Sequence, residues 1–78
     1  MKILEFYSKG CVPCRMLTPR VEKLCADKGY ELEKIEVFEN PDKAGEYNVM
    51  SVPHIIVFDD EGNKTIDEHL TASTFSKL

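Results

Sequence analysis

The stretch EFYSKGCVPCRMLTP, residues 5–19, is the most informative part of the chain for its fold. It begins within a run of strand-forming residues at 2–7 and is broken by the small and polar residues 8–10. From there, over 11–28, apolar residues recur at spacings of three and four, as on one face of a helix, and Gly29 follows as a plausible C-terminal cap. The pattern predicts a strand that leads directly into a helix, with a C-x-x-C pair at the junction.

The C-x-x-C pair itself, Cys11 and Cys14, is compatible with a metal site, a structural disulfide or electron transfer. Cys25 is the third cysteine, and so small and odd a number does not form a secreted disulfide framework. A zinc site would need four ligands, and the spare candidates are Cys25, His54 and His69, with no second C-x-x-C. The residues favour redox chemistry, with a metal site or a non-catalytic binding module as alternatives.

The rest of the chain alternates between strand and helix signals. It predicts a strand at 31–37, a short helix from Asn40 or Pro41 to about Tyr47, a strand at 53–58, a turn at 60–63, a strand at 64–68 and a helix from Thr71 to Leu78. The order β-α-β-α-β-β-α, with a right-handed crossover and a final hairpin, predicts an α/β fold. Its four-stranded mixed sheet would carry three helices distributed over both faces.

Length and charge narrow the function classes. The 78 residues predict a single domain spanning 1–78. A net charge of −4 with dispersed acidic residues argues against nucleic acid or an anionic membrane as the main partner. We find no apolar stretch long enough for a signal peptide or a membrane span, so a cytoplasmic location is expected.

Two segments carry a resemblance to the thioredoxin family, and together the match covers about residues 3–66. EFYSKGCVPCRMLTP resembles the family's active-site segment, and KIEVFENPDKAGEYNVMSVPHIIVFDDEGN, residues 34–63, resembles its second half. The chain lacks the extra N-terminal strand and helix of ordinary thioredoxins, and its length is similar to that of glutaredoxins. The resemblance implies a thioredoxin fold and dithiol–disulfide exchange.

Cys11 is the predicted attacking nucleophile. At a helix N-terminus, free N–H groups and the helix dipole stabilise a thiolate and lower its pKa, and the neighbouring Lys9 and Arg15 add positive potential. Cys14, one turn further into the helix, is the predicted resolving thiol.

Glu5 is the predicted proton acceptor for the resolving thiol. By strand alternation it shares a face with Ile3 and Tyr7 inside the sheet. The family places a buried carboxylate here, usually aspartate, and a strand lysine that faces it. Lys34 corresponds to that lysine, although a solvated side chain is the alternative.

Five residues are predicted to bind the substrate. The resemblance implies a cis bond before Pro53, so that the exposed backbone of Val52 pairs with an extended substrate segment. The others are Gly10, Val12 and Pro13 around the cysteines. A proline between the cysteines also favours a reductant over an oxidant.

Other positions have a structural interpretation first. Cys25 is expected to be a buried thiol, and Pro19, inside the helical pattern, is expected to kink the helix. His54 is predicted to be a core residue near Glu5. Glu68 falls where the family usually has a glycine in its docking groove.

The sequence thus predicts a monomeric thioredoxin-like reductant of protein disulfides, with no metal and no bound cofactor. Electrons would come from a separate NADPH-dependent reductase, such as a thioredoxin reductase. The enzymatic alternative is a glutaredoxin-like protein reduced by glutathione, and the residues TIDEHLTAS after the hairpin argue against it. The other alternative is a redox sensor or binding module that keeps the fold.

Overall fold

The computed structural model describes all 78 residues. Its elements are β1 (Lys2–Tyr7), α1 (Val12–Lys28), β2 (Glu31–Glu36), α2 (Pro41–Glu46), β3 (His54–Phe58), β4 (Lys64–His69) and a C-terminal 3₁₀ helix (Ala72–Lys77). The predicted order and number of strands are confirmed.

The sheet has the strand order β2-β1-β3-β4. β1 runs parallel to β2, because α1 carries the chain back between them, and antiparallel to β3, which forms a hairpin with β4. Glu5 lies at the centre of this sheet, paired with Lys34 on β2 and with Ile55 on β3. The mixed sheet predicted from the sequence is therefore confirmed.

Alternate residues of β1 contribute to two separate cores. On one face, Ile3 packs with buried side chains from α1, β3 and the residue after β4: Val21, Cys25, Ile55, Val57 and Leu70. On the other face, Leu4 and Phe6 pack with Ile35 and Ile56, under partly buried residues that include Tyr47 and Val52. The odd-numbered face of β1, which carries Glu5, is thus the one that α1 covers.

The buried face of α1 does not include every residue of its apolar pattern, to which Met16 belongs. Cys14, Val21 and Cys25 are buried, whereas Met16 is 70% exposed. Residues two apart on a helix point in nearly opposite directions, so burying Cys14 exposes Met16. The helix continues unbroken through Pro19, which has no N–H to donate to the carbonyl of Arg15, and the kink stays a prediction.

The chain end differs from its prediction in helix type. The final helix is 3₁₀ rather than α, with i to i+3 bonds such as that from the Thr74 N–H to the Thr71 carbonyl. Thr71 precedes it as predicted, and its own N–H donates to the Thr74 hydroxyl at 3.1 Å. Gly29 ends α1 in the left-handed conformation at φ 71°, which confirms the predicted cap.

Candidate functional site

Cys11 and Cys14 are joined in a disulfide at the start of α1. Cys11 is the N-cap residue, and its sulfur accepts the Cys14 N–H at 3.1 Å. Cys14 is 2% exposed, whereas Cys11 is partly exposed and is followed by Val12, which is 66% exposed. An incoming sulfur can therefore reach Cys11 but not Cys14.

The two basic side chains near Cys11 are engaged in other contacts, whereas the sequence predicted that they add positive potential at the sulfur. The first turn of α1 holds no acidic residue, which leaves the positive end of the helix dipole uncompensated. The Lys9 ammonium, however, forms an ion pair with the Glu39 carboxylate, and the Arg15 guanidinium donates to the Lys9 carbonyl at 3.1 Å. The helix terminus is thus the main source of positive potential at the sulfur.

Glu5 is fully buried beneath α1. Its Oε2 accepts a hydrogen bond from the Thr18 hydroxyl at 2.6 Å, and its Oε1 has no partner. Burial raises the pKa of Glu5 above its ordinary value, and the Thr18 hydrogen bond offsets this only in part. A buried carboxyl of this kind takes up a proton at a higher pH than an exposed carboxyl does.

Lys34 does not pair with Glu5, which corrects its interpretation as a partner of the carboxylate and favours the alternative of a solvated side chain. Its ammonium donates to the Glu22 carboxylate at 2.8 Å and its side chain is 42% exposed. Lys34 belongs to the edge strand β2, where a long side chain can extend past the sheet to solvent. It only weakly lowers the pKa of Glu5 through its charge.

The Val52-Pro53 peptide bond is cis, as the resemblance implied. Pro53 is buried, and its carbonyl accepts the Leu70 N–H at 2.9 Å. Neither backbone polar group of Val52 is hydrogen-bonded within the chain. The Val52 backbone is therefore available to another chain.

His54 lies on the opposite face of the sheet from Glu5, which corrects the expected proximity. It pairs with Phe6 across β1 and β3, and the two rings are 6.3 Å apart. Its Nε2 is 2.6 Å from an Asp67 carboxylate oxygen. Because adjacent residues of a strand point to opposite faces, a histidine opposite Phe6 cannot share a face with Glu5.

Two clefts share Ser8, whose carbonyl accepts the Cys11 N–H. The Cys14 cleft, about 300 Å³, is lined by Tyr7, Ser8, Lys9, Cys14, Arg15, Thr18 and Pro19. The Met50 cleft, about 220 Å³, is lined by Ser8, Val37, Phe38, Val49, Met50, Ser51 and Val52. Sequence reasoning missed Phe38 and Met50, which are 82% and 93% exposed, because nothing local distinguishes an exposed apolar side chain from a buried one.

The structure shows the surroundings of Gly10 and Glu68, which the sequence did not predict. Gly10 is exposed, and a Cβ atom placed there would have no atom beyond its chain neighbours within 4 Å. The Glu68 carboxylate accepts hydrogen bonds from Thr74 at 3.0 Å and from Lys77 at 2.7 Å. Glu68 is thus bound by the C-terminal helix, and Leu70, two residues later, is the residue that contacts Pro53 through its backbone.

Cys25 is a free thiol, 4% exposed, within the core under α1. Burial raises its pKa, which keeps the sulfur protonated and unreactive. This placement confirms the predicted buried thiol.

Glu36 is a site residue that sequence reasoning missed. It is buried at the end of β2, and one carboxylate oxygen accepts the Lys9 N–H at 3.0 Å. The other oxygen accepts the N–H groups of Phe38 and Glu39 at 2.6 and 3.1 Å. Glu36 therefore ties the loop before Cys11 to the loop that carries Phe38.

We expect Glu36→Gln to unfold at a lower Tm, by several degrees at pH 7, with the difference lost in acid. Burial alone would raise the pKa of Glu36, but its backbone N–H donors outweigh burial and hold the pKa below the ordinary 4.5. A lowered folded-state pKa stabilises the fold above about pH 4.5, and that stabilisation disappears as pH falls through the folded value. Thermal unfolding at pH 7 and pH 3 checks this, with Glu39→Gln as the control, and equal losses at both pH values would contradict it.

No helix of the structure is both long and apolar enough to span a membrane. No group of three or more histidine, cysteine, aspartate or glutamate side chains is arranged to hold a metal ion.

A β2-β1-β3-β4 sheet, a disulfide at the N-terminus of the first helix and a cis-proline before β3 together define a protein of the thioredoxin fold. The family model Thioredoxin matches residues 1–78, and the chain therefore belongs to the thioredoxin family.

Among curated relatives, a Staphylococcus aureus thioredoxin is 42% identical in a 64-residue alignment, which covers 77% of this chain and 60% of that protein. The chain thus spans about three fifths of the length of the curated relatives it matches. Thioredoxin 1 of Thermosipho africanus superposes with a TM-score of 0.83 at 25% identity, over 99% of this chain and 88% of that one. A mutant thioredoxin of Halobacterium salinarum gives a TM-score of 0.84 at 31% identity, over 97% of this chain and 68% of that one.

Proposed function

We propose that this protein is a thiol–disulfide oxidoreductase that reduces disulfides in other proteins. The observation that carries the proposal is the Cys11–Cys14 disulfide at the N-terminus of α1, with Cys11 accessible and Cys14 buried. That arrangement supports different roles for two chemically identical side chains. Family membership supports the same reaction class.

In the proposed reaction the reduced Cys11 thiolate attacks one sulfur of a substrate disulfide. The substrate S–S bond breaks, one substrate sulfur leaves as a thiolate and is protonated by solvent, and the other becomes bonded to Cys11. Cys14 then loses its proton to Glu5 and attacks Cys11. The Cys11–Cys14 bond forms as the bond to the substrate breaks, and two electrons have passed from the dithiol to the substrate.

Glu5 suits the acceptor role because it combines burial with an unpartnered oxygen. Its raised pKa brings proton uptake nearer to the working pH than an exposed carboxylate would allow. In the resting oxidised protein its proton must return to solvent before the next cycle. The Cys14 cleft, which Thr18 also lines, provides the nearest opening to solvent.

We place the substrate chain along Val52 and Pro53, where the unpaired Val52 backbone offers a short edge for strand addition. Gly10, Val12 and Pro13 would contact it next to Cys11. The exposed Gly10 leaves room for a bulky substrate residue.

The Met50 cleft would accept an apolar side chain of a protein substrate. We expect Phe38→Ser and Met50→Ser each to raise KM for a protein disulfide by about threefold to tenfold, since losing a buried apolar contact costs about 1 kcal/mol. Turnover of a small disulfide such as hydroxyethyl disulfide is the control and should not change. A parallel loss on both substrates would show that these side chains support the fold and not docking.

The electron donor and the cellular setting follow from the same chemistry. We propose that a flavin reductase using NADPH, of the thioredoxin reductase kind, returns electrons to the disulfide, and that the protein works as a monomer in the reducing cytoplasm. No resident cofactor is required, because the sulfur pair itself carries the electrons.

Insulin reduction with dithiothreitol tests the proposed function. We expect precipitation of the insulin B chain well above the uncatalysed rate, and background activity would refute the proposal in favour of a sensor or binding module. Reduction of the oxidised protein by NADPH and a thioredoxin reductase, compared with reduction by glutathione, separates the two oxidoreductase assignments.

A further inference from the structure

The two oxygens of the Glu5 carboxylate have different environments. Oε2 is held by the Thr18 hydroxyl at 2.6 Å, while Oε1 is buried and has no partner in the chain. The hydroxyl has one proton to donate, and it can stabilise the ionised carboxylate only through the oxygen that it contacts.

Thr18 contacts Glu5 and lies on the same helix as Cys14. It follows Cys14 by four residues on α1, so the two side chains lie on one helix face with Cβ atoms about 5–6 Å apart. Both line the Cys14 cleft, whereas Glu5 does not. Thr18 is therefore a residue that both lines this cleft and contacts the Glu5 carboxylate.

No other protein group is available for this role. Lys34, the residue opposite Glu5 in the sheet, is engaged with Glu22 at 2.8 Å. Glu22 adds negative charge, and Cys25, the other thiol under α1, is neutral in the core. Thr18 is thus the hydrogen-bond donor that the structure offers to the carboxylate.

We propose that Thr18 is a positioning residue, which holds Oε2 of Glu5 and so leaves Oε1 as the oxygen that takes up the Cys14 proton. This inference rests on the proposed role of Glu5 as proton acceptor. It adds the residue that orients the acceptor and tunes its proton affinity. In the step itself the Cys14 S–H bond breaks, an O–H bond forms at Oε1, and the sulfur's electron pair forms the bond to Cys11. The S–S bond between Cys11 and the substrate breaks at the same time, and the substrate sulfur leaves as a thiolate.

The test is the pH profile of the resolving step in Thr18→Val, which has nearly the same shape but no hydroxyl. Reduced protein is mixed with dithiobis(nitrobenzoate), and release of the second thionitrobenzoate reports the attack of Cys14 on Cys11. We expect the inflection in the plot of this second release rate against pH to move upward by about one pH unit, because the ionised carboxylate has lost a charge-assisted hydrogen bond. Infrared titration of the Glu5 carboxyl should show the same shift.

Two comparison variants make the outcome decisive. Thr18→Ser keeps the hydroxyl and should retain the wild-type inflection, which a merely structural loss would not predict. Glu5→Gln should remove the inflection, and an unchanged inflection there would overturn the acceptor role and this inference with it. If Glu5→Gln removes the inflection while Thr18→Val leaves it in place, the acceptor role stands and the role of Thr18 is refuted.

Discussion

Replacing Cys11 with serine is expected to reduce insulin-reducing activity to background, a loss of at least about a thousandfold. Cys11 is the sulfur at the helix N-terminus that a substrate can reach, and a serine hydroxyl at neutral pH is not a nucleophile toward disulfides. The buried Cys14 cannot substitute for it, since it is 2% exposed. Insulin turbidity at equal protein concentration measures the loss.

The partner experiment is Cys14→Ser. It should accumulate a stable mixed disulfide with a protein substrate, because the first attack proceeds and the second cannot. Mass spectrometry of the trapped adduct should locate the bond at Cys11. Cys25→Ala is the matched control and should keep its activity, since Cys25 lies in the core away from the disulfide. Adducts at Cys14 in the Cys11→Ser variant would contradict the assignment.

Replacing Glu5 with leucine is expected to stabilise the fold and to slow the resolving step of the reaction. The carboxyl is fully buried with one oxygen unpartnered, and a buried unsatisfied group costs about 1–3 kcal/mol. Because the pKa of Glu5 is raised in the folded state, the free energy of unfolding of the wild type falls as pH rises from the unfolded-state pKa through the folded-state pKa. The leucine variant has no such loss. We therefore expect a gain of about 1–3 kcal/mol at pH 8 that shrinks below pH 4.5, where the acid is neutral in both states.

The same variant should slow the resolving step by about 10–100-fold at pH 7, because the proton acceptor is gone. Urea unfolding at pH 4 and pH 8 measures the first effect and stopped-flow kinetics the second. Glu22→Gln, a surface carboxylate 45% exposed, is the control and should change stability by less than about 0.5 kcal/mol. A loss of stability at pH 8 would show that favourable interactions hold Glu5 in the fold and outweigh the cost of burying it.

Local sequence signals were sufficient to predict the strands and helices and to place several site residues. Strand alternation over 2–7 put Glu5 on an inward face, and the structure buries it completely. The break at 8–10 and the helical period after it placed Cys11 at the N-cap. These features depend on neighbours within one or two turns, which the sequence displays directly.

Side-chain partnerships across the fold were not predictable in the same way. Lys34 stands opposite Glu5 in the register, as the resemblance implied, yet its ammonium finds Glu22 on α1 instead. Once the pairing of His54 with Phe6 is known, strand alternation places the His54 side chain on the face of the sheet opposite Glu5. The pairing register itself is not visible in a single sequence.

Glu36 and Thr18 show the limit more clearly. Glu36 accepts backbone N–H groups from the loop that follows it and from Lys9, 27 residues earlier, and Thr18 donates to a carboxylate 13 residues away. Neither contact leaves a periodic trace, and a strand-end glutamate or a helical threonine is ordinary by itself. The roles of the site residues are proposals that the variants above test.

The reduction potential of the Cys11–Cys14 couple is the quantity on which the proposed function depends most closely. Equilibration with a dithiothreitol or glutathione buffer, with the two forms separated after alkylation, gives the value. We predict a potential near that of thioredoxins, about −270 mV, as required of a reductant of protein disulfides. A value near −120 mV, about that of a disulfide-forming oxidant, would contradict the assignment.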